Sequence, residues 1–212
     1  MRKNWTSVVY GLALPAVLLV GLSGCGDSKP ARFYVLSPVQ IEQTATPPQI
    51  PARGARGRSI GVGPVDIPKY LDRAPLVVFS TDNQLELNEF DRWGEPLADS
   101  FARATAGNLE RITGASRVEL YPFLAGGRAN PDYQVVIEVL QFRLGRDGRI
   151  DLQANWSIFG GEARRNLASG STRVQRSVTP GDMNKAVNTM SSAVAMLSQE
   201  VAAALDSLPA PR

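Results

Sequence analysis

The residues able to do chemistry in this chain are few, and their types exclude most enzyme mechanisms. The 212 residues contain no His and a single Cys, Cys25. Ser-His-Asp catalysis, Cys-His catalysis and the usual zinc sites need His or several Cys, so these residues do not provide them. Enzymatic chemistry would have to rest on carboxylates, Lys or Tyr.

Six carboxylates fall in predicted loops and strand edges: Asp66, Asp72, Glu86, Glu89, Asp91 and Asp99. Their spacing matches neither a glycosidase pair nor a calcium loop, so we expect surface charge. The glycines of Gly61-Val62-Gly63 and Gly160-Gly161 fit neither a P-loop nor a dinucleotide fingerprint. The sequence therefore predicts no catalytic residue, no metal site, no cofactor site and no enzyme.

Cys25 ends an apolar N-terminal run. Arg2 and Lys3 come first, and Val8 to Leu22 is uncharged. This run has about 15 residues and is interrupted by Pro15, whereas a membrane-spanning helix needs about 20. The layout predicts a signal peptide over residues 1–24, with a transmembrane anchor as the alternative.

The segment Leu22-Ser23-Gly24-Cys25 resembles a bacterial lipobox. That resemblance implies that Cys25 becomes the first mature residue and holds the protein to a membrane through covalent lipid. The alternative is a small buried hydrophobic residue. Residues 25–31 would then be the lipidated Cys and a short tether, of which Gly26 to Ala31 extend at most about 20 Å.

Charge argues against a nucleic-acid partner. The chain has 23 basic and 20 acidic residues, and loss of Arg2 and Lys3 with the signal peptide lowers the net charge from +3 to +1. Proteins that bind nucleic acid usually present a continuous basic surface. Only local basic clusters are present, and we expect these in solvated loops and hairpin ends: Arg53, Arg56 and Arg58, and Arg143, Arg146 and Arg149.

The remaining residues, about 188, suit one domain with a full core. We predict that this domain spans residues 32–208, with a flexible loop at about 40–58 that is rich in Pro and Gly. Alternating apolar residues and turn signals predict strands at Arg32–Ser37, Ser59–Val65, Pro75–Thr81, Gln84–Asn88, Arg117–Tyr121, Tyr133–Leu144, Ile150–Phe159 and Leu167–Ser177. The last of these is polar and is predicted to be a sheet edge. A turn-rich loop is predicted at Gly126–Pro131.

Two helices are predicted. One runs over Leu97–Ile112 and ends at Gly114. The second begins at a capping box, Thr179-Pro180-Gly181-Asp182, and runs to about Leu205. Its apolar seam is expected to lie on the protein's own sheet, an intermolecular coiled coil being the alternative: Met183, Val187, Met190, Val194, Leu197 and Val201. The predicted fold class is α/β, a single domain with a mixed, largely antiparallel sheet packed by two long helices.

Four segments carry a further resemblance: FYVLSP, IGVGPVDIPKYLDRAPLVVF, NEFDRWGEPLADSFARAT and DYQVVIEVLQFRLGRDGRIDLQANWSI. In this order they resemble the ABC-type transport auxiliary lipoprotein family, of the paraquat-inducible lipoprotein type. The most specific pieces are Pro68–Arg73, Trp93–Leu97 and the hairpin around Asp147-Gly148. None is a catalytic motif.

The resemblance implies a three-layer sandwich similar to anticodon-binding domains. It also implies a non-enzymatic lipoprotein that docks an MCE-type, ABC-linked intermembrane lipid transport system. Its partners would be the MCE-domain protein and, through it, an inner-membrane permease, and homo-oligomers are compatible with it. We expect the periplasmic face of the outer membrane because Gly26 follows Cys25, although Asp27 leaves the inner membrane open.

Two other functions remain open at this stage. A periplasmic lipid-binding carrier would need an apolar cavity of several hundred cubic ångströms. An envelope hydrolase would need a carboxylate whose substitution abolishes activity, and the lack of His weighs against it.

Overall fold

The computed structural model describes residues 30–39, 57–123, 130–161 and 163–208. The described residues from Ala31 onward form one compact unit. The predicted signal peptide, Cys25, most of the tether, nearly all of the loop at 40–58 and much of the loop at 126–131 lie outside the described residues. These expectations therefore stay predictions.

Eight strands and two helices make up the described chain. In order they are β1 (Arg32–Tyr34), β2 (Ser59–Asp66), β3 (Pro75–Phe79), β4 (Leu85–Trp93), α1 (Leu97–Thr113), β5 (Arg117–Leu120), β6 (Tyr133–Leu144), β7 (Arg149–Gly160), β8 (Arg165–Ser177) and α2 (Met183–Ser207).

Five strands form the larger sheet, in the order β5-β2-β6-β7-β8. Strand β2 runs parallel to β5 and β6, whereas β6, β7 and β8 are antiparallel. The alternation in β7 buries every even-numbered residue from Ile150 to Ile158, because that face of the strand looks into the core. Strand β8 lies at the edge, as predicted.

Both helices pack on the apolar face of this sheet, α1 against β2 and β5 and α2 against β7 and β8. The core between them is filled by large side chains. Phe101 of α1 and Phe142 of β6 are fully buried and meet edge to face at 5.7 Å between ring centroids. The helix seam of α2 is likewise core, with Val194 and Leu197 fully buried. The seam therefore packs within its own domain.

The other three strands form a smaller sheet, in the order β1-β4-β3. Strand β1 is parallel to β4, and β3 and β4 form an antiparallel hairpin. The α/β class, the single domain and the two long helices are confirmed. The strands divide into two sheets, because between the hairpin and the larger sheet the described residues show an isolated bridge, Phe79 to Gly145, and no continuous strand pairing.

The helix ends follow local backbone conformation. Gly114 adopts the left-handed conformation that ends α1, as predicted. The predicted capping box of α2 is wrong, because Gly181 has a φ of +85° and interrupts the helical conformation. Asp182 is the N-cap instead, and Met183 is the first helical residue. Among the described residues, neither helix is long and apolar enough to cross a membrane.

Candidate functional site

Asp91 in β4 is the buried centre of a polar cluster, which we call the tether clamp: Arg32, Tyr34, Asn88 and Asp91. The Asp91 carboxylate accepts hydrogen bonds from Arg32 Nε at 2.6 Å and Nη2 at 2.9 Å. It also accepts from the Tyr34 hydroxyl at 3.1 Å and from Asn88 Nδ2 at 2.6 Å. Only 2% of Asp91 is exposed. Because three residues donate to it, the carboxylate is buried without being left unsatisfied.

The tether clamp fastens the first described strand to the domain. Arg32 and Tyr34 are the first and last residues of β1, and their register partners in β4 are Asp91 and Trp93. The hydrogen bond to Asp91 raises the pKa of Arg32. Burial, and then the hydrogen bond to Asp91, raise the pKa of Tyr34. A bidentate Arg–carboxylate pair is among the strongest side-chain contacts, so a three-residue strand is held in one position.

This burial corrects the expectation that Asp91 is surface charge. Of the other candidates, Asp66, Asp72, Glu89 and Asp99 are exposed, as expected, and Glu86 is partly exposed. One feature of the sequence is compatible with this ion pair: an Arg begins a predicted strand, and an Asp lies two residues before Trp93. The two are 59 residues apart, so no local pattern pairs them.

A cleft of about 370 Å³ lies beside the smaller sheet. We call it the hairpin cleft. Its walls are β3 and β4, the turn between β6 and β7, and the segment leading into α2. Apolar lining comes from Val78, Leu87, Leu144, Val178, Pro180, Met183 and Ala186. Glu86 and Arg146 form an ion pair on its lining.

Backbone hydrogen bonds join the walls of the hairpin cleft. Arg146 N donates to Phe79 O at 2.9 Å, which joins the β6–β7 turn to the end of β3. Val178 N donates to Gly148 O at 2.9 Å, which joins the same turn to the segment before α2. Gly148 has a φ of +81°, and a Cβ there would lie 2.1 Å from Val178 O. Only Gly permits this approach.

The N-terminus of α2 closes one end of the cleft. The Asp182 carboxylate accepts from Lys185 N at 3.0 Å, and this hydrogen bond is the main cause of its lowered pKa. Lys185 Nζ lies 3.3 Å from the same carboxylate. The anionic cap is favourable at the positive end of a helix dipole. The capping hydrogen bond and the ion pair engage Asp182 in holding the helix end.

The shape and lining of the hairpin cleft suit recognition. Among the described residues, no group of three or more His, Cys, Asp and Glu side chains could hold a metal ion. The tether clamp and the cap are engaged in structural hydrogen bonds. A volume of about 370 Å³ is near the lower limit of ligand pockets. The hairpin cleft can therefore take a few apolar side chains of a partner or one small apolar group.

Comparison with known proteins shows which family the chain belongs to. A family model described as "ABC-type transport auxiliary lipoprotein component" matches residues 34–202. The chain belongs to this family. No match was found among curated proteins.

Two solved structures share the fold of this auxiliary lipoprotein. The structure of an uncharacterized protein matches with a TM-score of 0.62 at 16% identity, covering 82% of this chain and 98% of the other. Protein XCC0632 from Xanthomonas campestris matches with a TM-score of 0.61 at 16% identity, covering 80% and 92%. A PelC dodecamer from Paraburkholderia phytofirmans is more distant, with a TM-score of 0.43, 17% identity and coverage of 69% and 87%.

Proposed function

We propose that this auxiliary lipoprotein is a non-enzymatic subunit that docks an MCE-type, ABC-linked lipid transport system at the periplasmic face of the outer membrane. Covalent lipid on Cys25 would hold it there. The partner in contact would be the MCE-domain protein, which in turn reaches an inner-membrane permease. The exposed edge of β8 is compatible with homo-oligomers as well.

The observation that carries this proposal is the tether clamp. Cys25 lies seven residues before Arg32 in the sequence, and Arg32 is fastened to a buried carboxylate. A pull on the lipid anchor would therefore reach β4 and the body of the domain through hydrogen bonds and an ion pair. A docking subunit needs such a connection, because it has to transmit force between a membrane and its partner.

The hairpin cleft is the surface that we assign to the partner. Its walls are held together by backbone hydrogen bonds, so little conformational entropy is lost on binding. Apolar side chains line a depression whose lining also holds the Glu86–Arg146 ion pair. Interfaces commonly combine an apolar centre with a polar rim.

Site-specific photocrosslinking tests this assignment. A photoreactive residue replaces Thr179, an exposed residue that lines the cleft, or Ser171, an exposed residue in the middle of β8, as the matched control. We expect the Thr179 variant to crosslink an MCE-domain protein in the native envelope, identified by peptide mass spectrometry, and the Ser171 variant to give much less. Recovery of no MCE-domain protein from either position would contradict the docking proposal.

The alternative function is a periplasmic lipid-binding carrier, which the apolar lining of the cleft favours. Against it, the space between the helices and the larger sheet is filled by fully buried side chains such as Phe101, Tyr133 and Phe142. Native mass spectrometry of the full chain with Cys25→Ser distinguishes the two. Phospholipid retained in stoichiometric amount would support the carrier.

Placement in the outer membrane is a separate expectation. Gly26 follows Cys25, and Asp27 comes next. Density-gradient separation of the two membranes tests it, with Asp27→Ser as the comparison. Recovery of the unaltered protein with the inner membrane, and its transfer on Asp27→Ser, would contradict the outer-membrane placement and identify Asp27 as the retention signal.

A further inference from the structure

Four large apolar side chains in or directly after the strands of the smaller sheet are open to solvent, and we call them the sheet patch: Phe33, Val35, Leu85 and Phe90. Phe33 is 66% exposed and Phe90 47% exposed. Single exposed apolar residues are common on protein surfaces, whereas several within one three-stranded sheet mark a binding surface.

Strand register places the two aromatic rings on one face. Phe33 is the register partner of Arg92, and Phe90 lies two residues before Arg92 in β4. Alternation along a strand therefore turns Phe33 and Phe90 the same way. The intervening Asp91 turns inward and is buried. The two rings of the sheet patch and Asp91 of the tether clamp thus lie on opposite faces of the smaller sheet.

The occupant of this face follows from where the chain enters it. Arg32 begins β1 opposite Asp91, next to Phe90. Phe33 lies eight residues after Cys25, and a fully extended chain of that length spans about 27 Å. A domain of this size has a radius of gyration of about 16 Å and is roughly 40 Å across. The tether is too short to swing the opposite side of the domain onto the membrane.

We propose that the sheet patch rests on the lipid surface, with Phe33 and Phe90 at the boundary between headgroups and acyl chains. This inference depends on the lipidation of Cys25 in the proposed function. Phe and Leu side chains are typical of apolar faces that are buried at the boundary between headgroups and acyl chains. A second, non-covalent contact beside the anchor fixes the orientation of the domain, so the hairpin cleft is presented to a partner in one direction.

The contact is apolar in origin. Glu89 and Arg92, of opposite sign, are its charged neighbours in β4, and no basic cluster accompanies it there. Attraction to anionic headgroups falls within a Debye length and is weakened by salt. The contact of the sheet patch is therefore expected to persist when the ionic strength is raised.

Fluorescence quenching tests the proposal on the lipidated full chain in vesicles of phosphatidylethanolamine and phosphatidylglycerol. Since Cys25 is the only Cys and its thiol is blocked by lipid, one new Cys can be labelled with a fluorophore. Phe33→Cys and Phe90→Cys report on the patch. The matched controls are Ile112→Cys and Leu140→Cys, exposed apolar positions in α1 and β6.

We expect labels at Phe33 and Phe90 to be quenched by brominated lipid and protected from aqueous iodide, in low and high salt alike. Labels at Ile112 and Leu140 should show the reverse. Four labels with the same quenching would overturn the proposal, as would labels at Phe33 and Phe90 that are protected from iodide by another part of the protein without lipid quenching.

Mass spectrometry of the protein distinguishes a failure of the proposed lipidation from a failure of the proposed lipid contact. An unlipidated Cys25 overturns the proposed anchoring and this inference together, whereas a lipidated protein with exposed patch labels overturns only this inference.

Discussion

Replacing Asp91 by Ala is the sharpest perturbation of the tether clamp. The substitution leaves the Tyr34 hydroxyl and the Asn88 amide without their common acceptor. A buried polar group left unsatisfied costs about 1–3 kcal/mol. The Arg32 side chain is 64% exposed. Because water solvates it once Asp91 is gone, it adds little to the loss of unfolding free energy. The Asn88 amide is half-buried and can be solvated as well, so the Tyr34 hydroxyl dominates the cost, and we expect Asp91→Ala to lower the free energy of unfolding by about 1–3 kcal/mol.

Urea unfolding followed by far-UV circular dichroism measures this loss. With an m-value of about 2–3 kcal/mol/M for a domain of this size, the midpoint should fall by about 1 M. Glu89→Ala is the matched control, because Glu89 is exposed in the same strand. Its effect should stay within about 0.5 kcal/mol.

A double-mutant cycle separates loss of the contact from a general disturbance of β4. Tyr34→Phe removes only the hydroxyl that donates to Asp91, so it should cost about 1 kcal/mol alone. In the Asp91→Ala background the same change should cost nothing further, because the hydroxyl is already unpaired. Equal midpoints for Asp91→Ala and Glu89→Ala, or simple additivity in the cycle, would refute the reasoning.

Three further predictions concern the anchor, the cleft and the helix cap. Cys25→Ser should abolish labelling by radioactive fatty acid and membrane fractionation while the domain still folds; labelled lipid on that variant would contradict lipidation. Gly148→Ala should lower the urea midpoint much more than Gly161→Ala, because both have positive φ but only Gly148 approaches the Val178 carbonyl closely; equal losses would exclude that contact as the cause. The folded-state pKa of Asp182 is below its ordinary value of 3.8, so its stabilising effect is present above that pH and is lost as the pH falls below it. Asp182→Asn does not titrate and should flatten the urea midpoint between about pH 6 and pH 3, whereas a profile parallel to that of the unaltered protein would count against this cap.

Much of the fold could be predicted where local pattern and tertiary structure agree. The bounds of β6 match the predicted Tyr133–Leu144 because its apolar run is bounded by turn residues on either side. Gly114 ended α1 because a left-handed residue is needed there. The start of α2 could not be placed, since Thr179 and Asp182 both suit an N-cap and only the backbone at Gly181 selects between them.

The functional surfaces could be predicted less well. The hairpin cleft is formed by two strands, one turn and the segment before α2, which come from distant parts of the chain, and its shape depends on backbone hydrogen bonds such as Arg146 N to Phe79 O. The sheet patch could be predicted only if it were known which face of β4 is covered by the rest of the domain. The covered face is set by the pairing of β4 with β1, in which Arg32 and its partner Asp91 are 59 residues apart in the chain, and no local pattern records that pairing.

By itself, the sequence determined the family, the α/β class and the absence of His-based chemistry, because these depend on composition and on periodic or local patterns. Tertiary structure alone decided that Asp91 is a buried anchor point for β1, that the strands divide into two sheets, and that aromatic side chains lie exposed beside the tether. The physical reason is the same in each case. Burial and hydrogen bonding join residues that are far apart in the chain, and no local spacing records which distant partner a side chain will meet.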